Sequence, residues 1–395
     1  MARRLAAPLI LMLGGMFGMS CVGGETDDDS TIDPGGPSEH ADEVGSESDS
    51  SEGSGTSTDE SDASSSTSAT DSSSTDTSST TSDTNTTDES TTSDTDPPVE
   101  FTFGQSQTSN VFAFDDLQLG DLDGDGCADL VLAGTGAPPR LNIYAGACDG
   151  GFPGPAISRQ IFSYDAFVLG DVDGDGLADA IAQGTGFPPR LEVYASGPGF
   201  TLSAATTSEV YTYDLLWSID VDGDGRAEAL THQLDGFPPT VFTWSGPGDG
   251  SLSEAASSEV FSFDFAAVGR LDLDARGDLL IGSESLGVQV TRYVGQLDDA
   301  LVQAGSVQSI SNLGRIALGD LDGDGRADLL ADVPGNDWVV QLYANLGTSF
   351  ADSPQLFPGV GYWALRSADL DGDGRSDLIV APTGQPPRVT TWISE

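Results

Sequence analysis

The acidic motif Asp-x-Asp-Gly-Asp-Gly-x-x-Asp/Glu recurs in this chain of 395 residues at intervals of about fifty residues. Five intact copies start at Asp121, Asp171, Asp220, Asp320 and Asp369. A degraded copy, starting at Arg270, keeps the same spacing. A fixed period of this length marks one supersecondary unit that cannot bury its apolar face alone and therefore stacks on its neighbours. The sequence predicts six such repeats over residues 100–395.

Each intact copy has the oxygen-rich chemistry of a calcium loop. Ca²⁺ takes roughly six to eight oxygen ligands, and acidic side chains at alternate positions of a short loop can point at one centre. The two glycines let the chain turn through positive φ, which a Cβ would resist. Carboxylates this close repel one another unless a cation neutralises them. The five intact copies therefore predict about five bound Ca²⁺ ions.

The first, third, fifth and ninth residues of each loop are the predicted carboxylate ligands, and the seventh offers its backbone carbonyl. By repeat, these residues are Asp121, Asp123, Asp125, Cys127 and Asp129; Asp171, Asp173, Asp175, Leu177 and Asp179; Asp220, Asp222, Asp224, Arg226 and Glu228; Asp320, Asp322, Asp324, Arg326 and Asp328; and Asp369, Asp371, Asp373, Arg375 and Asp377. Acidic turns without metal are one alternative, since Asp-Gly is a common turn dipeptide. An EF-hand is another, but it needs a bidentate Glu at loop position twelve, where these repeats have Leu132 or Ala182.

The fourth copy lacks features that a calcium loop needs. Arg270 replaces the first carboxylate, and Leu273 and Ala275 replace the turn glycines. We expect no calcium in this repeat. The Arg270 guanidinium is the candidate to fill part of the vacant charge site.

The N-terminal 99 residues differ from the repeats in composition. Residues 1–20 combine Arg3 and Arg4 with an apolar run and small residues, which is typical of a secretory signal. Cys21 follows, where two interpretations stay open: lipidation of the bacterial lipoprotein type, or ordinary signal cleavage. Residues 21–99 are rich in Ser, Thr, Asp and Glu and poor in large apolar side chains. Such a segment cannot offset its conformational entropy by burial, and we predict a disordered acidic stalk.

Each repeat carries four short strand-like segments without helical periodicity, as a propeller blade does. The chain stops after the third strand of the last repeat. The N-terminal segment supplies the fourth strand of that repeat, because Phe101–Asp115 matches Phe200–Asp214, the segment that closes an earlier blade. The sequence therefore predicts an all-β fold, a six-bladed β-propeller with four-stranded blades that is closed by the N-terminal strand and preceded by the acidic stalk.

These motifs resemble the FG-GAP/VCBS repeat family, whose blades carry an inter-strand loop of the Asp-x-Asp-Gly-Asp-Gly type. The resemblance covers about residues 100–395 and is specific in five of the six repeats. It implies a β-propeller with calcium bound between the first two strands of each blade, as in integrin α-chain heads. Known members have seven blades more often than six. The family includes adhesins, lectins and scaffolds, so the resemblance implies extracellular recognition without naming a ligand.

Cys127 and Cys148 both lie in the first repeat, in the calcium loop and after the third strand. In a four-stranded meander these two connections emerge on the same face. An oxidising compartment would therefore bridge the thiols. The alternative is two unpaired buried thiols.

The opposite face carries repeated elements of its own. Gly-x-Pro-Pro-Arg turns end at Arg140 and Arg190, with a variant ending at Arg388, and four connections carry an aromatic residue followed by Asp. These pairs are Phe114-Asp115, Tyr164-Asp165, Tyr213-Asp214 and Phe263-Asp264. One interpretation is a rim that recognises sugars or peptides. The other is structural, with prolines stiffening the turns, aromatic rings packing between blades and Arg pairing with Asp.

Composition narrows the classes of partner and of activity that fit this chain. A net charge of −50 and the absence of lysine exclude nucleic acid as a natural partner. The only histidines are His40 and His232, and no nucleophile, zinc or phosphate motif accompanies them. The sequence predicts a non-enzymatic, calcium-binding recognition or scaffold module for an extracellular glycan or protein. It would be exported and held at the outer membrane or cell surface only through its N-terminal lipid. The alternative is a carbohydrate-active hydrolase or lyase with clustered acids in a propeller channel.

Overall fold

The computed structural model describes residues 99–395, except residues 135, 234–236, 284–287, 311–312, 334 and 360. The predicted signal segment, the lipidation candidate Cys21 and the acidic stalk up to residue 98 lie outside the described residues. Within the described ranges the secondary structure is all-β. No helix that could cross a membrane occurs in this part of the chain.

In the described part of the chain, twenty-six strands form six four-stranded sheets and one two-stranded hairpin. The strands of the N-terminal half are β1 (Gln107–Asn110), β2 (Phe114–Gly120), β3 (Asp129–Gly134), β4 (Arg140–Tyr144), β5 (Ile157–Gln160), β6 (Tyr164–Gly170), β7 (Asp179–Gly184), β8 (Arg190–Tyr194), β9 (Ser196–Gly197), β10 (Thr201–Leu202), β11 (Thr206–Glu209), β12 (Leu215–Ile219) and β13 (Glu228–His232). Those of the C-terminal half are β14 (Thr240–Ser245), β15 (Ser253–Glu259), β16 (Phe265–Gly269), β17 (Asp278–Ser283), β18 (Gln289–Gly295), β19 (Leu301–Ser309), β20 (Ile316–Gly319), β21 (Asp328–Val333), β22 (Asn336–Tyr343), β23 (Gln355–Pro358), β24 (Tyr362–Ala368), β25 (Asp377–Pro382) and β26 (Arg388–Trp392).

Each four-stranded sheet is an antiparallel blade, and the blades follow one another around a ring. Blades one to five have the orders β2-β3-β4-β5, β6-β7-β8-β11, β12-β13-β14-β15, β16-β17-β18-β19 and β20-β21-β22-β23. The first strand of each blade lies innermost, and β2, β6, β12, β16, β20 and β24 contact their neighbours in that cyclic order, with β24 contacting β2. The six-bladed propeller predicted from the repeats is confirmed.

The N-terminal strand closes the ring as expected. The sixth blade has the order β1-β26-β25-β24. Gln107 pairs with Thr391 and Asn110 pairs with Arg388 in antiparallel register. This pairing leaves no exposed edge on β26, which would otherwise be a template for association with another chain.

The apolar core lies between neighbouring blades. Leu130, Val131 and Leu132 of β3 are all fully buried. Leu130 and Leu132 pack in one cluster with Ile379 of the sixth blade, whereas Val131 packs in another with Phe167 of the second blade. Because blades cover both faces of this strand, its sequence is a continuous apolar run instead of an alternating one.

The meander places two kinds of connection on opposite faces. We call the side with the six acidic loops and the connections between third and fourth strands the loop face. We call the side with the turns between second and third strands and the connections between blades the turn face. Four of the turns contain a cis peptide bond before the first proline, at Pro138, Pro188, Pro238 and Pro386.

Candidate metal centres on the loop face

The first acidic residue shapes each intact loop by binding the backbone of both glycines. In the first loop, Asp121 accepts hydrogen bonds from the N–H groups of Gly124, at 2.6 Å, and Gly126, at 2.9 Å. The same pair of bonds recurs in the other four intact loops. Gly124 and Gly126 have φ values of 81° and 90°, a region that residues with a Cβ rarely adopt. The glycines of the motif are therefore required by the loop conformation.

The ninth residue is a buried carboxylate that joins three segments of its blade. Asp129 starts β3 and accepts hydrogen bonds from the N–H groups of Leu122 in the loop and Gly146 after β4, both at 2.8 Å. The four other Asp residues at this position make the equivalent two bonds. Charge-assisted bonds of this kind are among the stronger ones in proteins. This carboxylate is thus fixed in place by backbone donors.

The fold brings the first, third and ninth carboxylates of a loop together. In repeats one, two, three and five, oxygen atoms of these three residues lie within 4.8 Å of one another. The four sets are Asp121, Asp123 and Asp129; Asp171, Asp173 and Asp179; Asp220, Asp222 and Glu228; and Asp320, Asp322 and Asp328. In the sixth repeat the charges of Asp371 and Asp369 act on Asp377. Hard oxygen ligands in such a group fit a divalent cation such as Ca²⁺.

The pKa values of the ninth residues show that grouping these carboxylates is unfavourable when no cation is present. Burial raises the pKa of Asp129 to about 6, and the nearby charges of Asp123 and Asp121 add to the rise. Burial likewise raises the pKa of Asp328 to about 7 and that of Glu228 to about 8. A cation among these oxygens would reverse this effect by stabilising the charged carboxylates.

The fifth residue of the loop has contacts of its own. Asp125 is not a member of the group formed by the other three carboxylates of its loop. Its Oδ1 accepts a hydrogen bond from the N–H of Cys127 at 2.9 Å, which closes a tight turn before the predicted carbonyl ligand. In the third and fifth repeats, Asp224 and Asp324 also form ion pairs with the arginine two residues later. The structure therefore brings three of the four predicted side chains together in these loops.

The fourth loop departs from the others at the replaced residues. Arg270 is exposed and forms no ion pair with the described residues, so it does not fill the vacant charge site as expected. The cation at this loop is Arg276, which pairs with Asp274. Neither Leu273 nor Ala275 has a positive φ, so the backbone does not take the path that the glycines give elsewhere.

A disulfide bond ties the first loop to the end of the third strand. The sulfur atoms of Cys127 and Cys148 lie 2.02 Å apart and close a segment with a sequence separation of 21. Both cysteines are therefore removed from thiolate chemistry. The sequence predicted this pairing from the two connections that share the loop face.

The six loops are also joined to one another, which sequence reasoning missed. The N–H of the eighth residue of each loop donates to the backbone carbonyl of the first residue in the preceding blade's loop, at 2.5–2.8 Å. The donor and acceptor pairs are Ala128 and Asp369, Ala178 and Asp121, Ala227 and Asp171, Gly277 and Asp220, Ala327 and Arg270, and Ser376 and Asp320. Only backbone groups take part, so no side-chain pattern could reveal the bonds. The degraded fourth loop makes these bonds too, through the N–H of Gly277 and the carbonyl of Arg270.

On the turn face, the structural interpretation holds for the aromatic residues singled out in the sequence. Phe114, Tyr164, Tyr213 and Phe263 pack against core clusters at the blade junctions. Exposed rings stand two residues earlier in each connection. They are Phe112, Phe162, Tyr211 and Phe261. In each connection, one of the two rings therefore packs in the core and the other lies in solvent.

One of the turn arginines has a partner within its own strand. Arg190 donates to Glu192 at 2.8 Å, and Tyr194 donates to the other oxygen of this buried carboxylate. At Arg190, the expected pairing of Arg with Asp is therefore replaced by a pairing with Glu within strand β8. Two shallow cavities of about 100 and about 140 Å³ lie beside Arg388 and Arg190 at equivalent blade junctions.

Comparison with known proteins agrees with the repeat and the fold. Residues 121–182 match the FG-GAP-like repeat family. A crystal structure of a protein of unknown function from Dyadobacter fermentans is 11% identical with a TM-score of 0.51, covering 73% of this chain and 99% of that chain. The Tc holotoxin pore of Photorhabdus luminescens is 18% identical with a TM-score of 0.48, covering 73% of this chain and 14% of that chain.

This chain therefore spans well under two thirds of the toxin chain that it matches. A search of the curated proteins finds no match. At 11% identity, the structure from Dyadobacter fermentans supports the fold alone. The matched segment, residues 121–182, runs from the first acidic loop into β7 of the six-bladed propeller.

Proposed function

We propose that this protein is a calcium-stabilised recognition module that binds an extracellular glycan or protein ligand at its turn face. The loop face holds about five Ca²⁺ ions in the manner implied by the resemblance to VCBS repeats and integrin heads. The ions keep the blades in register and are not consumed. The ring then presents turns and connections as a rigid recognition surface.

The segregation of exposed aromatic side chains carries this proposal. All eight exposed aromatic residues of the described ranges lie in turn-face segments or at the strand ends beside them. They are Phe112, Phe162, Phe187, Tyr211, Phe237, Phe261, Trp338 and Trp363. Aromatic residues are enriched at binding interfaces, and their rings also stack on the apolar faces of sugars. The turn face is thus suited to a ligand, and the acidic loop face is suited to ions.

An enzymatic role has less support, and we propose that the module is non-enzymatic. The innermost strands carry carboxylates only at Asp115, Asp116 and Asp165, and Asp116 pairs with Arg366 at 3.4 Å. His232 pairs with Asp214 at 2.7 Å, but its Nε2 is buried and has no hydrogen-bond partner among the described residues. A histidine in this state has no nucleophile to activate. Neither arrangement supports the hydrolase or lyase alternative.

We also propose that the propeller is exported and tethered to the outer membrane or cell surface through Cys21. The support is the sequence of residues 1–99, with its signal-like start and acidic stalk. The disulfide of the first blade agrees with an oxidising compartment. Changing Cys21→Ala should move the protein from the membrane fraction to the soluble fraction. A wild-type protein that is already soluble, with an unmodified N-terminus, would contradict the tether.

A glycan and protein binding array tests recognition most directly. We expect the wild-type protein to bind one ligand class in the presence of calcium. Phe187→Ala and Phe237→Ala should weaken that binding, because their side chains are 91% and 96% exposed and are available to a ligand. Their folding should be unaffected, since so little of either ring is buried.

Exposed leucines on the loop face provide the matched control. Leu273→Ala and Leu297→Ala remove apolar side chains that are 68% and 78% exposed and should leave ligand binding unchanged. Equal loss of binding in both pairs of variants would contradict the turn face as the recognition surface. A wild-type protein that binds nothing on the array would contradict the proposed function as a whole.

A further inference from the structure

The two cavities of the turn face are built from the same positions of the repeat. One lies between the sixth and first blades and the other between the second and third blades. We call them the Arg388 cavity and the Arg190 cavity, after the residue that ends each turn. The position of Trp363 in the first corresponds to that of Asp165 in the second. Each cavity is thus a repeated feature of the blade junction, with side chains that differ from one junction to the other.

Backbone hydrogen bonds hold the walls of both cavities in place. Each cavity is walled by the turn of one blade and by the connection into the next blade. At the Arg388 cavity, the N–H of Val111 in the connection donates to the carbonyl of Pro387 in the turn at 3.1 Å. At the Arg190 cavity, Val210 donates to the carbonyl of Pro189 at 3.0 Å. The two walls are therefore fixed before any ligand arrives, as in most small-molecule sites.

The Arg388 cavity combines a guanidinium with an aromatic ring. Within the described residues, the side chain of Arg388 makes no hydrogen bond and no ion pair, so its donors are available to a ligand. Trp363 lines the same cavity and packs against Phe114 across the blade junction, with ring centroids 5.3 Å apart. Part of the indole stays open, since Trp363 is 36% exposed. Gln385, exposed on the turn, adds an amide that can donate and accept.

The Arg190 cavity brings donors and acceptors together in a similar way. Nε of Arg190 donates to Glu192 at 2.8 Å, and its other guanidinium N–H groups have no partner among the described residues. The exposed carboxylate of Asp165 and the amide of Gln183 line the same cavity and supply acceptors. The ring of Tyr213 also lines it, and the buried hydroxyl of Tyr213 has no hydrogen-bond partner in the described part of the chain. Such a hydroxyl costs free energy until a partner reaches it.

These groups fit a neutral sugar better than a charged ligand. Each hydroxyl of a sugar both donates and accepts, so it matches cavities that offer both kinds of partner. The arginines oppose a cation. The carboxylate of Asp165 and the net charge of −50 oppose an anion. The apolar face of a sugar ring can pack on the open part of Trp363, which removes both surfaces from water.

The size of the cavities restricts what enters them. Sites for drug-sized ligands measure roughly 300–1,000 Å³, whereas these cavities measure about 100 and about 140 Å³. Each therefore accommodates a single ring-sized group, such as one residue of a glycan. Blades one and two lie between the two cavities, so a continuous groove for an extended peptide does not join them.

We propose that the Arg388 and Arg190 cavities are two equivalent sites that each bind one neutral sugar residue. This inference rests on ligand binding at the turn face, as proposed above, and assigns that ligand to the glycans. The arginines and their polar neighbours bind ring hydroxyls, and Trp363 packs against one face of the sugar. Two sites that engage one glycan-coated surface together raise the apparent affinity by roughly 10²–10⁴-fold over one site.

Arg388→Ala and Asp165→Ala, each in the full chain with calcium present, test the two sites separately. Neither side chain makes a hydrogen bond or ion pair with the described residues, so both variants should keep the melting temperature of the wild type. Arg270→Ala removes an exposed arginine of the loop face and is the matched control. The probes are neutral oligosaccharides of hexoses and N-acetylhexosamines, with uronic-acid oligosaccharides for comparison, free in calorimetry and immobilised on a surface.

Wild-type protein should bind a neutral oligosaccharide at both sites in calorimetry. Each single variant should lose one site, and the double variant should lose both. Binding to the immobilised glycan should weaken at least about tenfold in either single variant, because the second contact is lost. Arg270→Ala should bind like the wild type at both.

Sugar binding that survives in the double variant would overturn the assignment of these cavities, and so would binding confined to uronic-acid oligosaccharides. A protein ligand whose binding depends on Phe187 and Phe237, with no sugar bound, would overturn the sugar sites and leave the turn face as the recognition surface. Wild-type protein that binds neither sugar nor protein would overturn the proposed function together with this inference.

Discussion

In the intact acidic loops, the ninth residue has a structural role beside the ligand role that we propose for it. Asp129 holds the loop to the strand end through two backbone donors, and its oxygens also lie beside those of Asp121 and Asp123. Asp278 keeps the same two hydrogen bonds in the degraded fourth loop, so the structural role persists where the calcium motif is lost. Changing this residue would therefore affect folding and calcium binding together, which makes the third residue a cleaner position for testing the ion alone.

The raised pKa values of these buried carboxyls predict opposite pH dependences with and without calcium. In the calcium-free fold the pKa is about 6 for Asp129 and about 8 for Glu228, above the ordinary values of 3.8 and 4.5. Between these limits the folded state binds more protons than the unfolded state, so its stability should fall as pH rises. Calcium needs deprotonated ligands, so calcium-loaded protein should instead lose affinity as pH falls through this range.

Thermal unfolding at about pH 5 and about pH 8, with excess calcium and after its removal, measures this difference. Calcium-free protein should have the higher melting temperature at the lower pH. The stabilisation added by calcium should be larger at the higher pH. The same calcium-induced increase at both pH values would contradict the assignment of these carboxyls as ligands.

At the scale of strands and loops, the sequence predicts most features that depend on residues within one repeat. The period locates every loop, and the match between Phe101–Asp115 and Phe200–Asp214 predicts the strand that closes the ring. The glycine positions predict the φ values that the loops adopt. These features follow from residues close together in one repeat, where spacing and chemistry leave few alternatives.

What the sequence does not predict depends on how neighbouring blades meet. The backbone bonds between successive loops join residues of different repeats, more than fifty positions apart in the chain. Such contacts depend on the angle between blades, which no repeat encodes alone.

At the scale of the whole ring, the propeller is held by links that run in one circle. The six loop-to-loop hydrogen bonds close on themselves between Ala128 and Asp369, and β1 closes the sixth blade. A change in the backbone of one loop therefore affects the loop of the next blade through the hydrogen bond between them. We expect calcium to stabilise the ring as a unit, because it binds the folded loops and not the unfolded chain.

Thermal unfolding of one preparation with calcium and in excess chelator, paired with ion counting by native mass spectrometry, tests the central claim most directly. Each ion at about 100-fold excess over its dissociation constant adds about 2.7 kcal/mol. About five ions should then raise the melting temperature by more than roughly ten degrees. The account predicts five ions, not six, and a large fall of the melting temperature in chelator. An unchanged melting temperature in excess chelator would contradict it.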